Sequence, residues 1–70
     1  MQRTAIISSN LVSVGYNQLT SILEIEFHQG DVYQYTSVPR YIYSELMSAN
    51  SKGTYFNDHI KEHFNSRKVL

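Results

Sequence analysis

The spacing of apolar residues changes near the middle of the chain, and this change limits the folds that the chain can adopt. From Leu11 to Thr36 apolar and polar residues largely alternate, which is typical of half-buried β-strands. After Pro39 the apolar residues recur at intervals of three and four, which is typical of amphipathic α-helices. The order of strands first and helices second predicts an α+β domain.

The alternating half divides into three strands. Two sets of apolar side chains are each predicted to share one face of their strand: Val12, Val14 and Tyr16 in the first strand, and Leu23, Ile25 and Phe27 in the second. The first turn is predicted between Tyr16 and Thr20, because the Asn17 side chain can bond the backbone two residues further on.

The second turn has two possible lengths, and the length decides which face the third strand presents. A two-residue loop, Gln29–Gly30, would pair Phe27 with Val32. A three-residue loop, His28–Gly30, would pair Phe27 with Asp31 instead. A shift of one residue turns every side chain of the strand to the other face.

The residue types favour the three-residue loop. Gln29 is a poor first residue for a type I′ turn, which needs a positive φ there. A type I turn followed by a left-handed Gly30 suits the longer loop. This register sets Tyr33 beside Ile25 and Tyr35 beside Leu23, so both tyrosines are predicted to lie on the core face.

Two helices are predicted in the second half. The first runs from about Pro39 to Ala49, with proline at its first helical position. Ser51 is a suitable N-cap for the second helix. In that helix one apolar stripe recurs at i, i+4 and i+8: Phe56, Ile60 and Phe64.

The predicted fold is a three-stranded antiparallel meander followed by two helices packed on one face. Seventy residues make one domain, residues 1–70, with an ordered core of about residues 8–65. Eight apolar side chains are predicted to be buried together: Leu23, Ile25, Phe27, Ile42, Leu46, Phe56, Ile60 and Phe64.

Composition and charge bear on where the chain is located and what it contacts. It has no cysteine and no apolar run long enough to span a membrane, so a cytoplasmic domain with no membrane contact is expected. The formal net charge is zero, but the charge is unevenly placed. Up to Ser51 two cations stand against four carboxylates, and from Lys52 onward four cations stand against two.

The segment from His59 to His63 reads HIKEH and matches the H-x-x-E-H pattern of inverted zinc peptidases. A catalytic zinc needs a third protein ligand beside an open position, and Glu62 is predicted on the solvated side of the helix. The favoured interpretation is two histidines of one helical face flanking the apolar stripe, and a two-histidine metal contact is left open. Neither a catalytic constellation nor a phosphate loop is present, so no enzyme, metal or cofactor is expected.

Aromatic and basic residues collect in the C-terminal third. Rings that stack on bases beside cations that hold phosphates are typical of single-stranded nucleic-acid binding. The predicted site, on the second helix and the tail with support from two strand tyrosines, comprises Lys52, Tyr55, His59, Lys61, His63, Arg67, Lys68, Tyr33 and Tyr35. For the last two, packing in the core is the competing interpretation.

Four segments in the same order resemble the KTSC domain family: SSNLVSVGYN, LEIEFHQGDVYQY with its Y-x-Y pair, VPRYIYSEL and SKGTYFNDHI. The resemblance runs from about Arg3 to Arg67. The family is named for its occurrence at the C-terminus of some lysyl-tRNA synthetases and also exists as small stand-alone bacterial proteins. The resemblance implies a small binding module with RNA as a suggested partner. The alternative is a protein-interaction or self-association module with no nucleic-acid role.

Overall fold

Five antiparallel strands form one sheet, and two helices cover one of its faces. The computed structural model describes all 70 residues. The elements in chain order are β1 Thr4–Ala5, β2 Leu11–Asn17, β3 Ile22–Phe27, β4 Val32–Tyr35, α1 Arg40–Ser48, α2 Lys52–His59 and β5 Ser66–Lys68. The strands lie in the order β1-β2-β3-β4-β5. The predicted α+β class is confirmed, and neither helix has the length and apolar character needed to cross a membrane.

The predicted count of three strands is wrong, because β1 and β5 extend the sheet at its two edges. In β1, Thr4 lies opposite Val14 of β2, and in β5, Lys68 lies opposite Tyr33 of β4. Both edge strands are short and consist of exposed residues, and neither carries an alternating apolar pattern. Short polar edges are a common protection against further strand pairing, and they leave no periodic signal in the sequence.

The β3–β4 turn has the predicted three-residue form. The Phe27 N–H donates to the Asp31 carbonyl at 2.9 Å, and the Gly30 N–H donates to the Phe27 carbonyl at 2.9 Å. Gly30 has φ +99°, a conformation that side chains with a Cβ rarely adopt. The register is therefore the predicted one, with the pairs Ile25–Tyr33 and Leu23–Tyr35.

An irregularity in β2 changes which residue enters the core. The pairing with β3 shifts between Leu11 and Ser13, so that Leu11 lies opposite Phe27. Leu11 is fully buried, whereas Val12 is half-buried and lies outside the core cluster. The prediction that Val12 shares a face with Val14 is wrong, because the extra residue of a bulge interrupts the alternation.

The helix starts agree with the sequence to within one residue, and one helix end does not. Pro39 is the N-cap of α1 rather than its first helical residue. Ser51 is confirmed as the N-cap of α2, because its hydroxyl accepts a hydrogen bond from the Thr54 N–H at 3.3 Å. The helix ends at His59, where the Phe56 carbonyl accepts from the N–H groups of both following residues, 60 and 61. The continuous helical stripe predicted to reach residue 64 is therefore wrong.

The core lies between the sheet and the two helices. Its buried cluster comprises Leu11, Val14, Leu23, Ile25, Tyr35, Val38, Ile42, Leu46, Phe56 and Ile60. Six of the eight predicted core residues belong to this cluster. The other two, Phe27 and Phe64, are half-buried and pack against it.

The other face of the sheet carries a hydrogen-bonded polar network centred on Glu24. This carboxylate is 7% exposed, forms an ion pair with Arg3, and accepts from the Gln34 amide at 2.8 Å. The Arg3 Nε donates to the Ser13 hydroxyl at 2.9 Å, and that hydroxyl donates to Glu26 at 2.9 Å. A buried carboxylate is tolerated when its oxygens are satisfied in this way.

Gly15 allows the N-terminal segment to lie against this polar face. A Cβ atom at Gly15 would stand 2.5 Å from the Gln2 carbonyl oxygen and 3.1 Å from the Arg3 side chain. Only glycine therefore fits at this position while Arg3 stays over Glu24.

Truncation of Phe56 tests the packing of α2 on the sheet. Phe56 is 4% exposed and contacts the rings of Phe27 and Tyr35, so Phe56→Ala should cost about 3–5 kcal/mol of unfolding free energy. Urea unfolding followed by circular dichroism measures this loss. Tyr41, which is 62% exposed, is the control, and Tyr41→Ala should stay within about 0.5 kcal/mol of the parent. Equal stability of the two variants would contradict the helix packing.

The Glu24 network predicts a loss of stability in acid. Burial raises the pKa of Glu24, but the hydrogen bonds from Gln34 and Arg3 and the charge of Arg3 outweigh it, so the pKa lies below its ordinary value. The stabilisation is therefore full above the unfolded-state pKa of about 4.3 and is lost as the pH falls through the lower folded-state pKa. Glu24→Gln should cost about 1–3 kcal/mol at pH 7 and should weaken the acid dependence.

Urea unfolding at pH 7 and pH 3 measures both effects of Glu24→Gln. The matched control is Glu62→Gln, because Glu62 is exposed. This control should retain the stability and the acid dependence of the parent. An identical acid dependence in Glu24→Gln and the parent would contradict the role of the network.

Candidate functional site

A concave cleft of about 510 Å³ opens between the β3–β4 turn and the end of α2. Its apolar lining is entirely aromatic: Phe27, Tyr33, Tyr35 and Phe56. Its polar lining comprises Ser9, Asn10, His28, Gln29, Asn57, Lys61 and Ser66. We call these eleven residues the aromatic cleft.

The register of the β3–β4 hairpin builds the aromatic part of the cleft. Because Tyr33 and Tyr35 lie opposite Ile25 and Leu23, both rings stand on the helix side of the sheet. Three edge-to-face contacts link the four rings, Phe27–Tyr33 at 5.8 Å, Phe27–Phe56 at 5.5 Å and Tyr35–Phe56 at 5.5 Å between centroids. Such contacts stabilise the pairs beyond simple burial, so the rings are held in place before any ligand arrives.

The two tyrosines differ in how much of each ring a ligand can reach. Tyr35 is 4% exposed and belongs to the core, whereas Tyr33 is half-buried. Burial, followed by the neighbouring Tyr33, raises the pKa of Tyr35 to about 12, so its phenol stays neutral at physiological pH. Neither hydroxyl has a hydrogen-bond partner within the chain. Every fully buried side-chain nitrogen or oxygen atom does have such a partner, so these two hydroxyls are in contact with solvent.

The polar rim of the cleft is free to bind a ligand. Asn57 and Lys61 are exposed, and the side chains of Asn10, Asn57 and Lys61 make no hydrogen bond or ion pair within the chain. Lys61 is the one lining residue with a formal charge, and no carboxylate lines the cleft. His28 is partly engaged, because its Nε2 lies 2.9 Å from the Ser8 carbonyl oxygen. The cleft therefore presents one fixed positive charge to a ligand.

The structure brings three of the nine predicted site residues into the cleft, namely Tyr33, Tyr35 and Lys61. The others lie outside it. Lys52 is half-buried, and its ammonium group donates to the Ala49 carbonyl at 2.9 Å, beyond the last residue of α1. A lysine in this place satisfies an orphan carbonyl at a helix C-terminus, which is a structural role.

Tyr55 and His59 also take part in internal contacts. The Tyr55 hydroxyl donates to the Glu45 carboxylate at 2.7 Å and so ties α2 to α1. Burial, together with the hydrogen bond and charge of Glu45, raises the pKa of Tyr55 to about 12. The His59 ring lies on the Tyr55 ring with centroids 4.4 Å apart. Tyr55 therefore takes part in a contact between the two helices, and the exposed His59 stacks on it within α2.

His63 lies beyond the end of α2, so the prediction that it shares a helical face with His59 is wrong. Its Nε2 lies 3.0 Å from the Asp58 carbonyl oxygen, in the turn that follows the helix. No group of three or more histidine, cysteine, aspartate or glutamate side chains is placed to hold a metal ion.

The two cations of the tail lie on opposite faces of β5. Lys68 lies opposite Tyr33, on the helix side, whereas Arg67 lies opposite Gln34, on the polar side. The Lys68 ammonium group is 3.3 Å from the Asp31 carboxylate. The positive C-terminal segment therefore does not form a single patch.

The polar part of the cleft, apart from Lys61, was missed from the sequence. Asn10 and His28 come from separate loops, and a backbone hydrogen bond of 3.2 Å from the His28 N–H to the Asn10 carbonyl brings the loops together. No local sequence pattern predicts that contact. Asn57 could have been found, because it directly follows Phe56 in the SKGTYFNDHI segment.

The model of the KTSC domain family matches residues 7–64 of this chain. A crystal structure of a KTSC domain protein from Yersinia pestis is similar over 99% of this chain and 97% of that one, with a TM-score of 0.94 and 43% sequence identity. A protein of Stutzerimonas stutzeri (strain A1501) is 43% identical over 61 residues, which cover 87% of this chain and 86% of that protein.

A second kind of relative is much longer than this chain. The lysine–tRNA ligase of Nostoc punctiforme is 47% identical over 49 residues, which cover 70% of this chain but 9% of the ligase. The ligase of Trichormus variabilis is 45% identical over the same length and share. The similarity to these enzymes is therefore confined to a small part of each of them.

The two lysines of α2 and its following turn should differ in their effect on stability. Lys52→Met removes the bond to the Ala49 carbonyl and should cost about 1 kcal/mol of unfolding free energy. Lys61→Met, the matched control, removes an exposed lysine without internal partners and should change stability by less than about 0.5 kcal/mol. Urea unfolding of both variants makes the comparison, and equal losses would contradict the capping role of Lys52.

Proposed function

The chain belongs to the KTSC domain family, and we propose that it is a small binding module that takes single-stranded nucleic acid, RNA in particular, in the aromatic cleft. One observation carries this proposal. The four packed aromatic rings, which form the aromatic floor of the cleft, lie beside a lysine and side-chain amides that have no partner within the chain. No carboxylate is among the lining residues.

The aromatic floor suits an unpaired base. Tyr33 is half-buried, so part of its ring is held by the Phe27 contact while the remainder lines the cleft. Sequence-specific RNA recognition uses unstacked bases that stack on aromatic side chains, and each base–aromatic stack contributes about 1–3 kcal/mol. A duplex does not present its bases in this way, which is why the proposal specifies single strands.

The charges of the cleft support weak, salt-dependent binding. Lys61 lines the cleft without a competing partner, and Lys68 stands on the same side of the sheet opposite Tyr33. Lys68 forms an ion pair with Asp31, so a phosphate would have to compete with that carboxylate. Arg67 lies on the other face and is left out of the proposed contact. Two lysines neutralise at most two phosphates, so the affinity should be modest.

The relatives favour RNA over DNA as the partner. Lysine–tRNA ligases, by their name, act on an RNA, and a segment similar to this chain occurs within them. A small module that adds one RNA contact would serve such an enzyme by raising the effective concentration of its substrate. The same contact would serve this chain as an independent binding module.

Salt dependence of binding to short RNA tests the proposal. A fluorescein-labelled RNA decamer of mixed sequence should bind with a log–log salt slope of about −1.4, the value for two phosphates on a single strand. Between 50 and 200 mM salt the affinity should therefore fall about sevenfold. Fluorescence anisotropy measures both affinities. Absence of binding at the lower salt concentration would contradict the proposal and favour the alternative, a protein-interaction module.

Paired variants locate the contact. Tyr33→Leu and Lys61→Glu should each weaken RNA binding about tenfold, because they remove a stack and reverse the nearest charge. Tyr41→Leu and Arg40→Glu make the same chemical changes at exposed positions of α1 outside the cleft, and both should bind like the parent. If the cleft variants bind as well as their controls, the cleft is not the binding site.

A further inference from the structure

We propose that His28 is a second phosphate ligand of the aromatic cleft, and that it binds RNA in its charged form. Binding should then strengthen as the pH falls through the range in which an imidazole titrates, from about pH 8 to about pH 5. This inference rests on the proposed function and adds control by pH to the same site. It depends on how the ring is held, on the groups around it and on the charge that it would add.

Two hydrogen bonds hold His28 at the cleft. Its backbone N–H donates to the Asn10 carbonyl at 3.2 Å, and its ring Nε2 lies 2.9 Å from the Ser8 carbonyl oxygen. A carbonyl oxygen only accepts, so Nε2 carries a hydrogen in the neutral ring as well as in the charged one. The proton that charges the ring is therefore taken up at Nδ1, which has no hydrogen-bond partner within the chain. Protonation keeps the bond to Ser8 and adds a free donor.

No negative group of the cleft competes for that donor. The other titratable side chains of the lining are the two tyrosines and Lys61, and no carboxylate is among them. The segment of residues 8–10, which bonds the histidine, has no ionisable side chain. In the turn itself, Asp31 forms an ion pair with Lys68 at 3.3 Å. A charged His28 therefore has no counter-ion in the lining, and a phosphate of the ligand can supply one.

Protonation of His28 would double the positive charge of the cleft. Lys61 is the one lining residue with a formal charge at neutral pH, and a charged His28 makes two. The cleft encloses about 510 Å³, so a phosphate inside it lies within roughly 8 Å of its lining side chains, the Debye length at physiological ionic strength. Two neighbouring cations repel each other in the free protein, and a phosphate beside both relieves that repulsion. RNA and the proton therefore each favour the binding of the other.

RNA affinity at two pH values tests the inference in the full chain. The probe is the mixed-sequence RNA decamer with a rhodamine label and no terminal phosphate, because neither its bases nor its phosphodiesters titrate between pH 7.5 and pH 5.5. Its affinity at low salt should rise at least about fivefold from pH 7.5 to pH 5.5, because a charge-assisted hydrogen bond is gained. The log–log salt slope should steepen from about −1.4 to about −2.1, since one more phosphate is neutralised.

A pair of histidine variants assigns the gain to its side chain. His28→Gln retains an N–H donor for the Ser8 carbonyl but cannot be charged, so its affinities at the two pH values should agree within about twofold. His63→Gln is the matched control, because the His63 ring also lies beside a carbonyl oxygen, that of Asp58 at 3.0 Å, and does not line the cleft. It should keep the gain of the parent. A gain that persists in His28→Gln would overturn the assignment.

Proton NMR of the parent chain gives a test that needs no variant. Because linkage is reciprocal, RNA that binds the charged ring fivefold more tightly must raise the midpoint of the His28 ring titration by about 0.7 pH units. The midpoints of the other two histidines, which lie outside the cleft, should change less. An unchanged midpoint for His28 in the RNA-saturated protein would contradict the inference.

The outcomes distinguish this inference from the proposed function. Equal RNA affinity at the two pH values would overturn the role of His28 while leaving the nucleic-acid module in place. Absence of RNA binding at both pH values would overturn both. Circular dichroism checks that the fold is intact at pH 5.5, as expected because the lowered pKa of Glu24 keeps its carboxylate charged there.

Discussion

The three-residue turn that ends at Gly30 is the constraint on which both the core and the cleft depend. Its left-handed glycine fixes β4 against β3 so that Tyr33 and Tyr35 stand on the helix side of the sheet. A register shifted by one residue would put these two rings on the face of Glu24, and neither would then line the cleft. Local backbone geometry at one glycine thus decides whether the protein has an aromatic cleft.

The two faces of the sheet differ in how their polar side chains are used. On one face, Arg3 and Gln34 satisfy the buried carboxylate of Glu24. On the other face, internal contacts engage Lys52 and Tyr55, whereas Asn57 and Lys61 have no partner within the chain. Both of these free side chains line the aromatic cleft.

The features predicted correctly depend on residues close together in the chain. The features that were missed depend mostly on contacts between distant segments. The hairpin register and the Ser51 cap follow from residues close together in the chain, and both are confirmed. The edge strands and the β2 bulge carry no periodic signal, so they could not be read from alternation. Within the site, Tyr33, Tyr35 and Lys61 were predicted by residue type, but the internal partners of Lys52 and Tyr55 depend on tertiary contacts. The amide rim depends on such contacts as well.

The central claim is that the ligand of this domain lies in the aromatic cleft, and a chemical-shift map tests it most directly. Uniformly ¹⁵N-labelled protein titrated with the RNA decamer should show its largest amide shifts at Tyr33, Asn57 and Lys61, all saturating together. The backbone amides around Arg40 and Lys52 should shift little, because both residues lie outside the cleft. Largest shifts at these two residues, with the cleft unchanged, would contradict the account.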